Sequence, residues 1–428
     1  MSARRTRTLV LLACFLEIAT AAAQPAPPGP AVEQCRRGES VTSFGRSFQP
    51  AVTIYDEEWS QPIPIEAAGF TPVGVRLLLA VTPDARDRDW SLVVRDPAYR
   101  VLASFGPADF AGGDGRLTRK RWTGRLPAAK VQVELLHSGK SDVEVMVEEG
   151  IASPPAGASD VRLFSSQTPG SPNWRPLYEG GSLIQRRTGD VTGMLVTGQT
   201  AAPGAPSAPA WCCTGVMVAR DLFLTNWHCG AAPPTDHTSY WNERVAGRSL
   251  IDLGWDDGTV SRQYNAVKVE ASDRRLDYAL LRVEPVVGPG GAAGTPSRAT
   301  IAARPAQAGE EVFIVHHAEC EKKRLSRCRV AAASYRAWTD APGEPSGSSA
   351  SQPDLSHSCD TEPGASGAPV FAIRGDRAVL VGLHHLGFDR DESCAIVPPR
   401  LNKAVRIDEI VRSLDAARPD LVRELDVE

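Results

Sequence analysis

The first part of the chain shows short apolar runs separated by turn residues, and no helical period is present. In the last of these runs Val143, Val145 and Val147 alternate with mostly charged neighbours, a period of two that buries one face of a strand. Residues 137–140 (HSGK) predict a hairpin turn just before it. We therefore expect a small β-sandwich within residues 24–150. Its predicted strands are Val52–Tyr55, Val75–Val81, Trp90–Val94, Arg100–Phe105, Val131–Leu136 and Val143–Glu148.

Three stretches rich in Pro, Ser, Ala and Gly interrupt the apolar pattern. Residues 151–176 are expected to be a linker between the sandwich and a second domain at 177–428. Residues 198–209 are expected to be a surface loop within that domain. Residues 288–297 lie about halfway through it, where they would connect two similar halves.

The C-terminal segment has a helical pattern. Ile407, Ile410, Val411 and Leu414 recur at i, i+3, i+4 and i+7, which predicts an amphipathic helix from Arg406 onward. Pro419 is expected to end this helix and can start a short second one.

The N-terminus resembles an export signal at residues 1–23. Three arginines precede an apolar stretch at 9–22, and three alanines at 21–23 fit a cleavage site. A lipoprotein box at Cys14 and a twin-arginine signal at residues 4–5 are weaker interpretations. The stretch is interrupted by Glu17, and no later segment has the roughly 20 apolar residues of a membrane helix. We therefore expect a secreted or periplasmic protein without a transmembrane segment.

Composition and cysteine content narrow the function classes. The 428 residues are 42% hydrophobic and 23% charged, with a net charge of −4, so no basic surface for nucleic acid is indicated. Cys14 falls in the signal, which leaves eight of nine cysteines in an exported chain. An even number without a C-x-x-C pair predicts disulfides, and neither a metal nor another cofactor is expected.

Three short motifs carry candidate chemistry. In TNWHC (225–229) an apolar strand delivers His228, and Cys213 lies sixteen residues before Cys229, where a disulfide could hold this loop. In LDYALL (276–281) Asp277 precedes an apolar strand, so it can be buried and orient an imidazole. In GASGAPV (364–370) glycines flank Ser366, and a tight turn there exposes the hydroxyl and aims the N–H groups of Gly364 and Ser366 at one point.

In this order and spacing, His228, Asp277 and Ser366 resemble the catalytic triad of trypsin-like, chymotrypsin-fold serine peptidases. The intervals are 49 and 89 residues, and the resemblance covers roughly residues 177–414. The strings TNWHC, LDYALL, CDTEPGASGAPVF and VGLHHLG are closest to the bacterial branch with lysyl and glutamyl endopeptidases. The resemblance implies an all-β fold: a double antiparallel β-barrel protease domain with a C-terminal helix, preceded by the sandwich.

The resemblance also implies a mechanism and therefore a protein or peptide substrate. Ser366 attacks the scissile carbonyl, His228 transfers the proton, and Asp277 orients His228. The backbone N–H groups of Gly364 and Ser366 form the oxyanion hole. A secreted serine endopeptidase acting through an acyl-enzyme is therefore expected.

Two positions depart from the family pattern. Ala365 stands where many members carry an Asp that pairs with a freshly cut N-terminus, so activation by N-terminal insertion is not expected. The usual Ser-Trp-Gly substrate edge is His385-Leu386-Gly387, which should still pair with substrate through its backbone.

The primary specificity pocket is expected to contain Asp360, Thr361 and His384. By resemblance, Asp360 lies at the pocket base, where a carboxylate selects Arg or Lys and repels Glu. Three other interpretations stay open. Protonated His384 could neutralise Asp360 and broaden specificity, His384 could mark a glutamyl-type pocket, or Asp360 could only brace the loop through backbone hydrogen bonds.

The remaining features have less specific interpretations. Six further cysteines allow 15 pairings, among which Cys320–Cys328 and Cys359–Cys394 are hypotheses. The basic run 321–327 (EKKRLSR) is expected to be a solvated hairpin tip, and the pair at 316–317 (HH) to be structural. The N-terminal domain can be a pro-region, a spacer, or a module with a surface or glycan ligand. A catalytically inactive binding protein on the protease fold is the alternative function.

Overall fold

The computed structural model describes most of the chain from residue 42 to its end. The signal segment and the cysteines at 14, 35 and 394 lie outside the described residues, as do the interiors of the predicted loops at 198–209 and 288–297. The described ranges are 42–48, 52–54, 62–63, 72, 74–81, 89–110, 120–137, 143–153, 173–198, 208–230, 241–256, 262–286, 297–335, 353–388 and 400–428.

The N-terminal region is built from two layers of antiparallel strands. One layer has the order β1-β8-β3-β6, with β2 also paired to β8, and the other has the order β5-β4-β7. Val143, Val145 and Val147 are buried with Leu77 and Leu92 in the core between them. The strands are β1 (Thr42–Phe48), β2 (Val52–Ile54), β3 (Gly74–Val81), β4 (Trp90–Arg95), β5 (Val101–Phe105), β6 (Lys120–Trp122), β7 (Gln132–His137) and β8 (Val145–Ser153).

The prediction that a turn at 137–140 joins two paired strands, β7 and β8, is wrong. Residues 138–140 themselves lie outside the described part of the chain. β7 pairs with β4, whereas β8 pairs with β1, β2 and β3 in the other layer. Both strands bury an apolar face in the same core, and a sandwich allows consecutive strands to do so from opposite layers.

A closed antiparallel barrel follows, after a short strand β9 (Arg175–Pro176). Its strand order is β10-β13-β14-β15-β12-β11, and β11 pairs again with β10 to close the ring. The apolar runs before His228 and after Asp277 form neighbouring strands, which brings these two residues to one end of the barrel. The six strands are β10 (Thr192–Gly198), β11 (Ala208–Met217), β12 (Leu222–Thr225), β13 (Leu250–Asp252), β14 (Gln263–Asp273) and β15 (Tyr278–Pro285).

A second six-stranded antiparallel barrel confirms the double-barrel prediction. Its order is β20-β17-β18-β19-β22-β21, and β21 pairs with β20 to close it. Its strands are β17 (Glu311–His316), β18 (Arg324–Tyr335), β19 (Asp354–His357), β20 (Pro369–Arg374), β21 (Arg377–Leu386) and β22 (Asn402–Arg406). The short strands β16 (Thr300–Ile301) and β23 (Asp426–Val427) add to the edge of β21 and β16, respectively, in parallel.

The described helices are few and short. Ile407, Ile410 and Leu414 of the C-terminal helix are buried, as its periodicity predicts, and Pro419 occupies the start of the last helix. Single 3₁₀ turns occur at Pro107–Phe110, His228–Gly230 and Ala318–Cys320. The α-helices are α1 (Leu177–Gly180), α2 (Leu183–Gly189), α3 (Glu243–Ala246), α4 (Ile407–Ala417) and α5 (Pro419–Val422).

Strand β1 joins the N-terminal layers to the first barrel. One edge of β1 pairs with β8 and the other with the beginning of β11, from Ser47 opposite Ala208 to Thr42 opposite Cys212. The predicted linker 151–176 therefore has both ends in strands, since Ile151–Ser153 completes β8 and β9 pairs with β18. Residues 154–172 between them lie outside the described part.

Buried polar contacts reinforce this junction. Arg248 of the first barrel donates two hydrogen bonds of 2.6 Å to the carboxylate of Glu149 on β8. Arg76 on β3 donates to the Arg248 carbonyl at 3.3 Å and also contacts Asn265. A bidentate Arg–carboxylate pair satisfies both buried charges and fixes their orientation. The N-terminal layers are therefore packed on the barrel through specific contacts.

Three disulfides lie among the described residues. Cys213–Cys229 joins β11 to the turn of His228, as the spacing suggested. Cys212–Cys320 links the two barrels, and Cys328–Cys359 links β18 to the segment after β19. The hypothetical pairs Cys320–Cys328 and Cys359–Cys394 are therefore wrong. Cys320 lies in the turn before β18, and the extended strand from Arg324 carries Cys328 away from it.

The basic run at 321–327 is not wholly a solvated tip. Lys323 is fully buried, donates to the Leu253 carbonyl at 2.6 Å and lies 3.5 Å from Asp256. Burial lowers the pKa of Lys323 to about 8, although Asp256 opposes this shift. Leu253 and Asp256 follow β13, so this lysine ties the second barrel to the first.

Candidate active site

His228 is fixed at the end of β12 by covalent and polar contacts. The Cys213–Cys229 disulfide ties its turn to β11. The backbone N–H of His228 donates to Oδ1 of Asp277 at 3.0 Å, and Nδ1 of its ring lies 2.8 Å from Oδ2. One carboxylate thus holds both the backbone and the ring, so the second ring nitrogen, Nε2, faces away from Asp277.

Asp277 is completely buried and sits in an unusual backbone conformation with φ of 45°. Asn226 stabilises this turn by donating its side-chain amide to the Asp277 carbonyl at 2.8 Å. Burial alone would raise the pKa of Asp277, but His228 and His385 hold it below its ordinary value. Asp277 is therefore a carboxylate that can stabilise an imidazolium at His228.

The turn that carries Ser366 is packed directly on β11. Thr214, which follows Cys213, donates its N–H to the Ser366 carbonyl at 2.7 Å and its hydroxyl to the Gly364 carbonyl at 2.8 Å. A Cβ at Gly367 would lie only 2.0 Å from the Thr214 carbonyl oxygen, so glycine is required for this approach. The disulfide that holds His228 and the turn that holds Ser366 therefore share one strand.

The backbone of this turn aims two N–H groups away from its own hydrogen bonds. A trans peptide unit points its carbonyl and its N–H in opposite directions. The Pro363 carbonyl accepts from Glu319 at 2.6 Å, so the N–H of Gly364 faces the other way. The Ala365 carbonyl accepts from Ala368 at 2.9 Å, which orients the N–H of Ser366 likewise. Neither N–H donates a backbone hydrogen bond within the described residues, as an oxyanion site requires.

The three residues expected in the specificity pocket have distinct surroundings. Asp360 is partly exposed, and its Oδ2 accepts the N–H of Asn173 at 2.7 Å. Thr361 beside it is fully buried. Nδ1 of His384 lies 3.3 Å from Nε2 of His357. Burial, together with His357 and other nearby histidines, holds the pKa of His384 well below its ordinary value. His384 is therefore uncharged and contacts another histidine, not Asp360.

One side chain of the expected substrate edge, that of His385, contacts the triad carboxylate. His385 is buried, and its Nδ1 lies 3.2 Å from Oδ2 of Asp277. The carbonyl of Gly387 accepts a hydrogen bond from Lys403 at 2.8 Å, which engages part of the backbone edge. Backbone pairing of Gly387 with substrate stays a prediction. The His385 side chain, by contrast, points to Asp277, the carboxylate that contacts His228.

Two residues of this region carry no sequence motif. Thr214 follows Cys213 and could have been noticed only as its neighbour, whereas Asp354 lies in β19 and reaches His385 at 3.3 Å.

His316 and His317 are completely buried and uncharged, since burial lowers the pKa of each to about 3. The Nδ1 atoms of both rings contact the backbone of the same turn, in line with a structural role.

Two clusters of cysteine and histidine resemble metal sites at first sight. They are Cys213, His228 and Cys229, and Cys328, His357 and Cys359. The cysteines of each cluster are joined in a disulfide, so neither cluster offers a thiolate ligand. The donor sets therefore do not fit a zinc site.

Comparisons with known proteins found one matching domain family and several similar solved structures. The sequence model of the trypsin-like peptidase domain matches residues 213–383, which include His228, Asp277 and Ser366. The active form of the Rv3671c protease from M. tuberculosis is similar at 18% identity and a TM-score of 0.38, over 54% of this chain and 82% of that chain. Its inactive form is similar at 18% identity and a TM-score of 0.36, over 55% and 92%. No curated protein matches the chain. The domain match supports a serine peptidase.

Proposed function

We propose that the protein is an exported serine endopeptidase that hydrolyses peptide bonds through an acyl-enzyme. Ser366 attacks the scissile carbonyl while His228 takes its proton and later gives it to the leaving amine. Asp277 holds His228 in one orientation and stabilises its imidazolium. The N–H groups of Gly364 and Ser366 bind the oxyanion as it forms.

The observation that carries this proposal is the joint fixation of both halves of the site by β11. Cys213 of β11 holds the turn of His228 through its disulfide with Cys229, and Thr214 of β11 donates its N–H to the Ser366 carbonyl at 2.7 Å. His228 in turn contacts the buried Asp277 carboxylate at 2.8 Å. These contacts do not involve a new N-terminus, consistent with Ala365 offering it no carboxylate. We therefore expect activity without one defined N-terminal residue.

The three disulfides support export, because such bonds persist in oxidising compartments. Among the described residues, none of the helices has the length and apolar character needed to cross a membrane.

The proposed substrates are peptides cut after Arg or Lys. His384 is uncharged and pairs with His357, so it does not neutralise Asp360 and offers no cation to a Glu substrate. Asp360 has one oxygen engaged by Asn173, but a carboxylate accepts several hydrogen bonds and can still hold a substrate cation.

The central experiment is to measure turnover and active-site labelling in Ser366→Ala and His228→Ala variants. Each should lose about 10⁶-fold in kcat while remaining folded, because the triad acts as a unit. An organophosphate should label Ser366 in the unmodified protein only. A folded Ser366→Ala variant with near-native activity would refute the assignment. An unmodified protein that neither turns over peptides nor takes the label would favour the inactive binding protein.

Specificity is tested by kcat/KM on matched substrates with Arg, Lys, Glu, Ala or Phe before the scissile bond. Asp360→Asn removes the charge but keeps an oxygen that can accept the Asn173 N–H. The exposed Asp376, in the turn between β20 and β21, provides the control Asp376→Asn. The Arg and Lys preference should disappear only in Asp360→Asn. A preference that survives, or a preference for Glu, would contradict the proposal.

A further inference from the structure

A second histidine contacts the same carboxylate oxygen as His228. Nδ1 of His228 lies 2.8 Å from Oδ2 of Asp277, and Nδ1 of His385 lies 3.2 Å from that atom. His385 comes from β21 of the second barrel, so Asp277 is contacted from both barrels. On its other side, Nε2 of His385 lies 3.3 Å from Oδ2 of Asp354, an ion-pair distance without the alignment of a good hydrogen bond.

These groups are almost entirely shielded from water. The side chains of His385 and Asp354 are each 1% exposed, and that of Asp277 is 0% exposed. A buried carboxylate is costly unless a cation or hydrogen bonds stabilise it. His385 is placed to be that cation for both acids.

The charges around His385 favour its protonated form. Burial would lower the pKa of His385, but Asp354 and Asp277 raise it to about 9. Burial and the nearby Asp277 carboxylate raise the pKa of Asp354 above its ordinary value, and His385 and Lys403 offset only part of this shift. The nearby rings of His357 and His384 stay uncharged because burial lowers their pKa values. Within the described part of the chain, the titratable groups that interact with His385 and its two acids include Lys403, His228, His357 and His384.

Charge balance explains why a second acid is needed. An imidazolium at His385 neutralises Asp277, and this would weaken the stabilisation of the imidazolium that forms on His228 during reaction. Adding the negative charge of Asp354 returns the group of three to a net charge of −1. His385 also limits the orientations open to the Asp277 carboxylate, because it approaches the same oxygen as His228 from another direction.

We propose that His385 and Asp354 are positioning residues of the proposed active site, a buried ion pair that orients Asp277 toward His228 and preserves the negative charge His228 needs. This inference rests on the proposed peptidase function for its catalytic consequence. The ion pair itself is a statement about the folded protein and can be tested without turnover.

The first test follows the His385 ring nitrogens by NMR in the full chain, in Ser366→Ala to prevent self-digestion. The His385 signals are assigned by their loss in His385→Gln. Both nitrogens should stay protonated at neutral pH and release a proton only near pH 9. Adding Asp354→Asn should lower that titration by at least about one pH unit, the effect of losing a nearby opposite charge. A neutral His385 ring at pH 7 in the Ser366→Ala protein would overturn the proposal.

The second test compares Asp354→Asn with Asp252→Asn in the active protein. Asp252 is a buried carboxylate of the first barrel that accepts from Gly254 and Gln263, so the same change there controls for the loss of a buried charge. Asp354→Asn should lower kcat about tenfold with KM unchanged, equivalent to about one pKa unit of lost stabilisation. Equal effects of both variants on kcat would show a merely structural role. If the unmodified protein is inactive, the proposed function fails, while the NMR titration still decides the ion pair.

Discussion

At the scale of single residues, substitutions of two glycines with positive φ, Gly364 and Gly375, allow the effect of backbone strain to be distinguished from that of a steric clash. Gly364 and Gly375 have φ of 97° and 65°, but only a Cβ at Gly364 would meet an atom, the His317 carbonyl oxygen at 2.6 Å. Each change to Ala costs about 1 kcal/mol in a left-handed conformation, and Gly364→Ala must also displace the turn.

We therefore expect Gly375→Ala to keep kcat/KM near that of the unmodified protein. Gly364→Ala should lower kcat about 10²-fold or more, as the loss of an oxyanion donor does. Steady-state kinetics with a thermal unfolding curve for each variant distinguishes lost activity from lost folding. Similar kcat values for the two variants would argue against an oxyanion role of this turn.

Motifs predict single residues only where chemistry leaves a local pattern. The positions of His228 and Asp277 followed from the strands beside them, and the structure brings the two side chains together. The contact of His385 was missed because adjacent strand residues point to opposite faces, so His384 meets His357 and His385 meets Asp277. Asp354 was missed because it lies in β19 and its partner His385 lies in β21. The sequence alone does not indicate which residues of two different strands come into contact.

At the scale of elements, β11 acts as the common support of the proposed site through one hydroxyl. The Oγ1 of Thr214 donates to the Gly364 carbonyl and accepts the N–H of His317 at 3.0 Å. Thr197 on the neighbouring β10 is equally buried, but its hydroxyl has no hydrogen-bond partner within the described part of the protein. The two residues form a matched pair for the change to Val.

Thr214→Val should lower kcat about 10²-fold, because a small misplacement of reacting groups has effects of this size, and KM should change little. Thr197→Val should leave kcat unchanged and keep or increase stability, since it removes an unpaired buried hydroxyl. The measurement is kcat and KM together with the urea midpoint of each variant. A normal kcat for a folded Thr214→Val protein would show that other contacts suffice to hold the turn.

Strand prediction succeeded where an apolar run was long enough to show its period. β2, β3, β4, β5 and β7 lie within one residue of their predicted bounds, and β8 begins two residues later and ends five residues later than predicted. β1 and β6 were not predicted. β6 has only three residues, and β1 (TSFGRSF) contains glycine and mostly polar residues. β1 is held in the sheet by pairing with β11 on one side and β8 on the other, which its own sequence does not predict.

At the scale of the whole molecule, two adjacent glutamates test whether the N-terminal layers stabilise the barrel. Glu149 is buried against Arg248, whereas Glu148 pairs with the exposed Lys120. Glu149→Gln should lower the free energy of unfolding by about 3 kcal/mol, as breaking a buried pair does. Glu148→Gln should cost less than about 1 kcal/mol. Urea unfolding of both variants provides the comparison, and equal losses would indicate that the interface contributes nothing specific.

The buried neutral histidines make stability depend on pH. The pKa values of His316, His317 and His357 lie at about 3, and that of His384 is also well below its ordinary value. Unfolded histidine has a pKa of about 6.5, so unfolding takes up protons below that pH and stability falls as pH falls. His385 keeps its proton in both states there and does not oppose this trend.

Between about pH 6.5 and 5, each such histidine contributes up to about 1.4 kcal/mol per pH unit to the loss of stability. Urea midpoints measured across this range should therefore fall steeply. His316→Gln should reduce the slope, because one proton fewer is taken up. A flat profile would mean that these rings take up protons in the folded protein at about the same pH as in the unfolded chain.

The double pairing of β1 has a consequence for how the chain folds during synthesis. β1 and β11 are joined by pairs such as Thr42 with Cys212, so a strand made early must wait for one made about 170 residues later. At typical translation rates this delay is on the order of 10 s or more. Until then β1 can pair only with β8, and its other edge offers unpaired backbone groups to any passing strand. We expect closure of this edge to be a late step in folding, and the exposed β1 edge to favour aggregation of the nascent chain until then.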